Sequence, residues 1–342
     1  MPEPRLDQRS GTNVAATDNT SFLRAQAELI AEGADRIRPH IRRTPALSTD
    51  LDDFLRLKPE CFQVTGSFKV RGAFNAVLKL HAEQPGTKGV IAVSSGNHAQ
   101  ALALAARTVG LPAVILIPED ANPDKVAATR SFGAEVIQHG ITFANRERKL
   151  GEAIAERGLT LIHPFDDWNI VQGQATAALE LLEDEPELEV VAAPIGGGGL
   201  LSGTALSAKI HRRDLKVIGV EPEAADDAAR SLRAGSIQAL AESPTTLADG
   251  VRTTAIGSIT YEIAIRRRLV DDIVTVSEAE IGEATRTAWF KLKLALEPTG
   301  ALPLAAYLAG KLPAANRRVG LILSGGNFNS AVIAGVLSAT GQ

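Results

Sequence analysis

From about residue 90 onward, short apolar runs rich in Val and Ile alternate with longer stretches whose apolar positions recur every three or four residues. Continuous apolar runs of four to eight residues predict buried strands, and a period near 3.6 predicts amphipathic helices. The pattern predicts strands over 90–94, 113–118, 135–138, 160–163, 190–195, 217–221, 273–276 and 319–323. Helices are predicted over 98–110, 146–157, 170–182, 200–210, 281–296 and 301–308, the first of them closed by Gly110. Strands joined by helices of this length predict an α/β fold built on parallel sheet with crossover connections. Polar, turn-rich stretches at 81–89 and 162–169 bracket a smaller unit. The expected division is a small domain over 83–164 inside a large one made of 21–82 and 165–342. Residues 1–20 contain no apolar run and predict a disordered arm instead of a signal peptide.

Composition narrows the function classes. A chain of 342 residues, 45% of them hydrophobic, is long enough to bury a large core without disulfide staples. The formal charge of -4 provides no basic footprint for nucleic acid or for an anionic membrane surface, and no apolar run has the length of a bilayer span. The single cysteine, Cys61, excludes an internal disulfide framework, and no Cys/His spacing resembles a zinc site. A cytoplasmic protein acting on a small molecule is the expectation.

In parallel α/β sheets ligands bind beyond the carboxyl ends of the strands, and three such loops are unusual here. Gly196, Gly197, Gly198 and Gly199 join an apolar strand directly to a helical segment, which frees their amides to converge on an anion, most naturally a phosphate. Gly197, Gly199 and Ser202, with Glu221 about twenty residues on, also approximate a dinucleotide fingerprint whose third position is Ser. "SSGNH", Ser94 to His98, offers hydroxyls, an amide and backbone donors suited to a carboxylate, or simply a helix cap. "SGGN" places Ser324 at a third strand end.

A fourth feature lies earlier. "GSFKVRGAFNAV" puts Lys69 and Arg71 in the first turn of a predicted helix, where the dipole disfavours cations. Dipole, neighbouring Arg71 and partial burial all favour the neutral amine of Lys69, the form that attacks carbonyls; the ordinary alternative is a lysine reaching for solvent. Arg71 either deepens that effect or pairs with an acid elsewhere.

A reactive lysine, a phosphate cup and a carboxylate loop are the parts of a pyridoxal phosphate enzyme. "TGSFKVRGAFNAV", "SSGNHAQALA", "GGGGLLSG", "EPTG" and "SGGN", in this order, resemble the serine/threonine dehydratase family, which includes threonine ammonia-lyases and serine racemase, over residues 43–327. The resemblance implies the tryptophan synthase beta-like fold: two twisted, parallel-type sheets with flanking helices and the cofactor in the cleft between a large and a small domain. It further implies that Lys69 forms a Schiff base with pyridoxal phosphate, that Phe68 and Asn97 meet the ring and its 3-oxygen, that Gly196 to Gly199 hold the phosphate, and that Ser324 faces the pyridine nitrogen. Ser94, Gly96, Asn97 and His98 would hold the substrate carboxylate while Lys69 removes the α-proton and the β-hydroxyl leaves. The implied products are a 2-oxo acid and ammonia from L-threonine or L-serine.

Ser95 corresponds to the second acid/base of the racemase-like members, so serine or hydroxyaspartate racemisation is the second reading; a nicotinamide dehydrogenase and a non-catalytic binding protein are the readings from other classes. "EPEAADD" resembles a cation site for Mg²⁺ or Ca²⁺, with Glu221, the Ala225 carbonyl and Asp227 as ligands, against a pair of solvated surface acids. Segment 48–60 is shorter than in the family and carries a Pro inside its Lys-x-Glu stretch. The chain ends at Gln342, soon after "SGGN", without room for a regulatory domain, which implies a catabolic or stand-alone role. A homodimer or homotetramer is expected.

Overall fold

A computed structural model describes residues 18–338 except 120, 122 and 143. All eight predicted strands form, as β3 (Val90–Val93), β4 (Ala113–Leu116), β5 (Glu135–Ile137), β6 (Thr160–Leu161), β7 (Val190–Pro194), β8 (Lys216–Pro222), β9 (Asp272–Val276) and β10 (Val319–Leu323). Two more precede them, β1 (Leu47–Ser48) and β2 (Leu55–Pro59). β2 escapes the apolar pattern because it reads LRLKP, yet Lys58 is wholly buried and bonded to Glu180 at 2.7 Å.

The strands build two sheets. One has six strands in the order β1-β2-β10-β7-β8-β9 and the other four in the order β5-β4-β3-β6. Every pairing is parallel except β1 with β2. The helices that precede and join the strands are α1 (Asn19–Ile37), α2 (Lys69–Glu83), α3 (Asn97–Thr108), α4 (Pro123–Ser131), α5 (Arg146–Arg157), α6 (Trp168–Asp184), α7 (Gly199–His211) and α8 (Asp227–Ala234). Helices Glu278–Phe290 and Leu302–Leu308 follow.

Burial on both faces explains why the strands read as continuous apolar runs. Along β7, Val191 and Ala193 pack with α6 and α7, whereas Val190 and Ala192 pack with Ile281 and Leu302 on the opposite side. In the smaller sheet Val90 and Ala92 share a cluster with α2 and α3, and Ile91 faces Leu150 of α5. α2 lies close on α6 because glycines meet there: a Cβ added to Gly173 would stand 2.6 Å from the Gly72 Cα.

Three differences from the sequence reading have local causes. The expected arm over 1–20 lies outside the described residues as far as 17, but Asn19 already opens α1, whose first amides Asp18 caps at 3.0 and 3.3 Å. The helix predicted over 281–296 stops at Phe290, and Lys293 beyond it adopts a left-handed φ of 58° that no helix can continue. α4 and α8 are polar enough to have left no apolar period. Among the described residues no helix is long and apolar enough to cross a membrane.

Candidate active site

A cavity of about 220 Å³ opens where the carboxyl ends of β3, β7 and β10 meet the start of α2. The structure brings Phe68, Lys69, Ser94 to His98, Gly196 to Gly199 and Ser324 together on its lining. Glu221, Ala225 and Asp227 are not on it.

Lys69 is the first residue of α2, and its Nζ donates to the Pro164 carbonyl at 2.8 Å and lies 5.2 Å from the Phe68 ring centre. Burial lowers its pKa to about 8, with Glu297 opposing the shift. The sequence reading is corrected on one point: Arg71 contributes nothing resolved to this, because it turns away from the cavity onto Glu60 and Glu180. Phe68 is held by its own backbone, whose N–H donates to the Ser324 carbonyl at 3.0 Å, next to a bridge between Ser67 and Gly325. The loop after β10 therefore fixes where α2 begins.

The glycine loop satisfies the demands of a close anion cradle. Gly198 has φ +93°, where a Cβ would also stand 2.3 Å from Thr260, and a Cβ on Gly197 would meet the Phe165 ring at 2.4 Å. The Gly197 carbonyl is pinned by Gly257 N–H at 3.0 Å and the Thr260 hydroxyl at 2.8 Å. Gly199 then opens α7, whose first-turn amides have no acceptor in a preceding turn. Thr253 adds a hydroxyl that sequence reasoning missed: its Oγ1 is buried, has no hydrogen-bond partner among the described residues, and lies 3.2 Å from where a Gly196 Cβ would be. An unpaired buried donor beside free helix-start amides fits a phosphate, and with Lys69 on the same lining the residues present fit pyridoxal phosphate.

Asn97 is oriented from both ends. Its Nδ2 donates to Glu297 Oε1 at 2.7 Å, and its Oδ1 accepts from Asn327 Nδ2 at 2.8 Å. Glu297, from the "EPTG" motif, is 1% exposed and was not among the expected site residues, since one Glu before a Pro carries no chemical signature. Burial, then the nearby Asp249, pushes its carboxyl up to about 8.

In the "SSGNH" loop the Ser94 N–H donates to Leu116 at 3.2 Å and Ser94 Oγ accepts from Gly96 at 3.3 Å, while Ser95 is exposed at the cavity. His98 is buried with Nε2 3.0 Å from the Ile162 carbonyl, and burial followed by the Lys69 charge pushes its pKa down to about 3. Its ring is neutral and engaged away from the loop, so only its backbone faces a substrate carboxylate.

Glu221 points into the start of α8, accepting from Ala228 and Ala229 N–H at 3.3 and 2.8 Å. It does not reach the glycine loop, which removes the acid that the dinucleotide reading requires. Glu221 and Asp227 are each 1% exposed, so they are not solvated surface acids; burial pushes them up to about 9 and about 7. Among the described residues no three His, Cys, Asp or Glu side chains converge on a metal position.

The profile of the family described as "Pyridoxal-phosphate dependent enzyme" matches residues 37–325. The chain is 45% identical over 310 residues to a serine racemase of Arabidopsis thaliana, covering 88% of this chain and 92% of that one. It is 44% identical over 305 residues to an L-threo-3-hydroxyaspartate ammonia-lyase of Saccharomyces cerevisiae, with 88% and 92% covered. Among solved structures it is similar to a threonine deaminase of T.th., with 46% identity, a TM-score of 0.83, and 88% and 98% of the two chains covered.

Proposed function

The chain belongs to the family of pyridoxal-phosphate dependent enzymes, and on that premise we propose that it is an ammonia-lyase acting on small β-hydroxy amino acids such as L-threonine and L-serine. The observation that carries this reading is the presence of the Lys69 amine, the glycine loop and the "SSGNH" loop on one cavity. When bound, pyridoxal phosphate supplies an electron sink conjugated to the substrate α-carbon. Gly196 to Gly199 and the Thr253 hydroxyl hold its phosphate, Phe68 and Asn97 its ring face and 3-oxygen, and Ser324 its ring nitrogen.

The chain's own residues then do the following. Backbone and side-chain donors of Ser94, Gly96, Asn97 and the His98 amide hold the α-carboxylate. Lys69, whose amine loses its proton near neutral pH, takes the α-proton. The β-hydroxyl leaves as water, and water returned on hydrolysis releases the 2-oxo acid and ammonia, so serine yields pyruvate plus ammonia with no other reactant.

A second reading, racemisation of serine or 3-hydroxyaspartate, is favoured by Ser95, which is exposed on the cavity as a second proton carrier. Incubation with L-Ser, L-Thr, D-Ser and 3-hydroxyaspartate, following 2-oxo acid and the opposite enantiomer together, separates the two. Lys69→Ala is expected to lose both products and the visible absorbance, and Ser95→Ala only the inverted amino acid. A folded wild type that stays colourless after cofactor addition rejects both readings.

We further infer a Mg²⁺ or Ca²⁺ position formed by Glu221, the Ala225 carbonyl and Asp227. Two buried carboxyls and the unpartnered Asp227 Oδ2 support it. Thermal stabilisation of the protein by either cation, lost in Asp227→Asn, is the check. A cytoplasmic homodimer or homotetramer completes the proposal and is tested by fractionation and sedimentation.

A further inference from the structure

The cavity lining described above holds two ammonium groups among its described residues, Lys69 and Lys125. Lys69 is committed to proton transfer in the proposed mechanism; Lys125 is not used by it. Lys125 comes from the first turn of α4, in the unit of the four-stranded sheet, and its Nζ donates to Asp249 Oδ2 in the short helical turn Asp249–Val251 on the other side of the cleft. The Lys125 side chain is 14% exposed and that of Asp249 40%, so the ammonium is the more enclosed partner and the carboxylate the more easily displaced.

An ammonium has three donors, and among the described residues Lys125 Nζ gives one of them to Asp249. A partly enclosed cation on a substrate cavity attracts a negative charge more strongly than one in bulk water. Amino acids with one carboxylate place that group in the "SSGNH" loop and leave the Lys125–Asp249 pair intact. A substrate with a second carboxylate brings a charge that Asp249 repels and that Lys125 alone can match.

We propose that Lys125 is a specificity-determining residue that binds the second carboxylate of a β-hydroxy dicarboxylic amino acid of the 3-hydroxyaspartate class, exchanging Asp249 for the substrate. This rests on the lyase reading above. It also makes the Lys125–Asp249 contact a selectivity element: the pair opposes dicarboxylates weakly through Asp249 and favours them strongly through Lys125.

The test uses the holoenzyme and two readouts. In the first, kcat/KM is measured for 3-hydroxyaspartate and for L-serine. In Lys125→Met the ratio of the two is expected to fall about 100-fold, the scale of losing one enclosed charge pair, with the change in KM; a ratio equal to that of the wild type overturns the proposal. The second readout is independent of elimination: L-aspartate and L-alanine, which have no hydroxyl to expel, are titrated against the visible cofactor band. Preference for L-aspartate in the wild type that disappears in Lys125→Met, and that grows in Asp249→Asn where the competing carboxylate is gone, supports the assignment. Preference that survives Lys125→Met, or that falls in Asp249→Asn as it does in Lys125→Met, overturns it. Loss of the lyase reading has a different signature, since a wild type that yields no 2-oxo acid can still display or lack the Lys125-dependent preference for L-aspartate.

Discussion

Arg71 clamps both carboxylate oxygens of Glu60, Nε to Oε2 at 2.7 Å and Nη2 to Oε1 at 2.8 Å, with neither side chain exposed to solvent. The other edge of the guanidinium bonds both oxygens of Glu180 at 2.8 Å, and Lys58 meets Glu180 at 2.7 Å. Two cations and two anions thus balance within one buried cluster. Charge-assisted, bidentate bonds of this kind outweigh the helix-dipole penalty of roughly 0.3–1 kcal/mol that makes a cation unwelcome in a first turn. The cluster ties the start of α2, and so Lys69, to α6 and to the short helical turn Glu60–Phe62.

Breaking that cluster on one side leaves a buried charge without a partner. Arg71→Met and Glu60→Gln are each expected to lower the unfolding free energy by about 3–5 kcal/mol, read by denaturant titration of the apo-protein. The double variant should lose less than the sum of the two, because no orphaned charge is left between the pair. Strict additivity would show that the two side chains do not act together.

Lys69 loses its proton at about 8 because burial disfavours the ammonium. Capture of pyridoxal phosphate by the apo-protein needs the neutral amine, so its bimolecular rate should climb about tenfold per pH unit below that value and level above it. Stopped-flow absorbance between pH 6 and 9 measures this. A flat profile contradicts the assignment of a depressed Lys69 as the nucleophile.

Gly198→Ala is expected to weaken cofactor binding at least about tenfold, since a side chain at φ +93° is strained by about 1–3 kcal/mol and its Cβ meets Thr260 at 2.3 Å. Equilibrium dialysis against pyridoxal phosphate provides the value, and retained wild-type affinity would mean that the loop is not the phosphate cradle.

The Glu297 carboxyl, raised from 4.5 to about 8 by burial, binds its proton more tightly in the folded protein than in the unfolded chain. Its contribution is therefore full below about 4.5 and is lost as pH rises towards about 8. Relative to Glu297→Gln, the wild-type apo-protein should lose up to about 1 kcal/mol of stability per pH unit across that window. Lys69, whose pKa is depressed, acts above about 8 and leaves the window clear. Parallel stability curves for the two proteins would refute the shift.

What the sequence determined by itself is what local chemistry encodes. Strands β3 to β10 were legible because both faces of each sheet are covered and the apolar run is continuous. Gly196 to Gly199 were legible because a strand joined to a helix by glycines alone has few other purposes, and Lys69 because a cation at a helix start violates a local rule. The fold follows from the same periodicities together with the ordered motifs.

Only the tertiary structure decided which distant groups share a charge or a hydrogen bond. Arg71 finds Glu180 across 109 positions, Lys125 finds Asp249 across 124, and Asn97 finds Glu297 across 200. Nothing near any of these residues in the chain announces its partner, since an ion pair or an amide contact depends on where two elements pack and not on the period of either. Burial is decided at the same level, so the tertiary fold also sets the proton affinities of Lys69, Glu297 and His98: desolvation is a property of the packed environment, and the same side chains in the extended chain would titrate near their ordinary values.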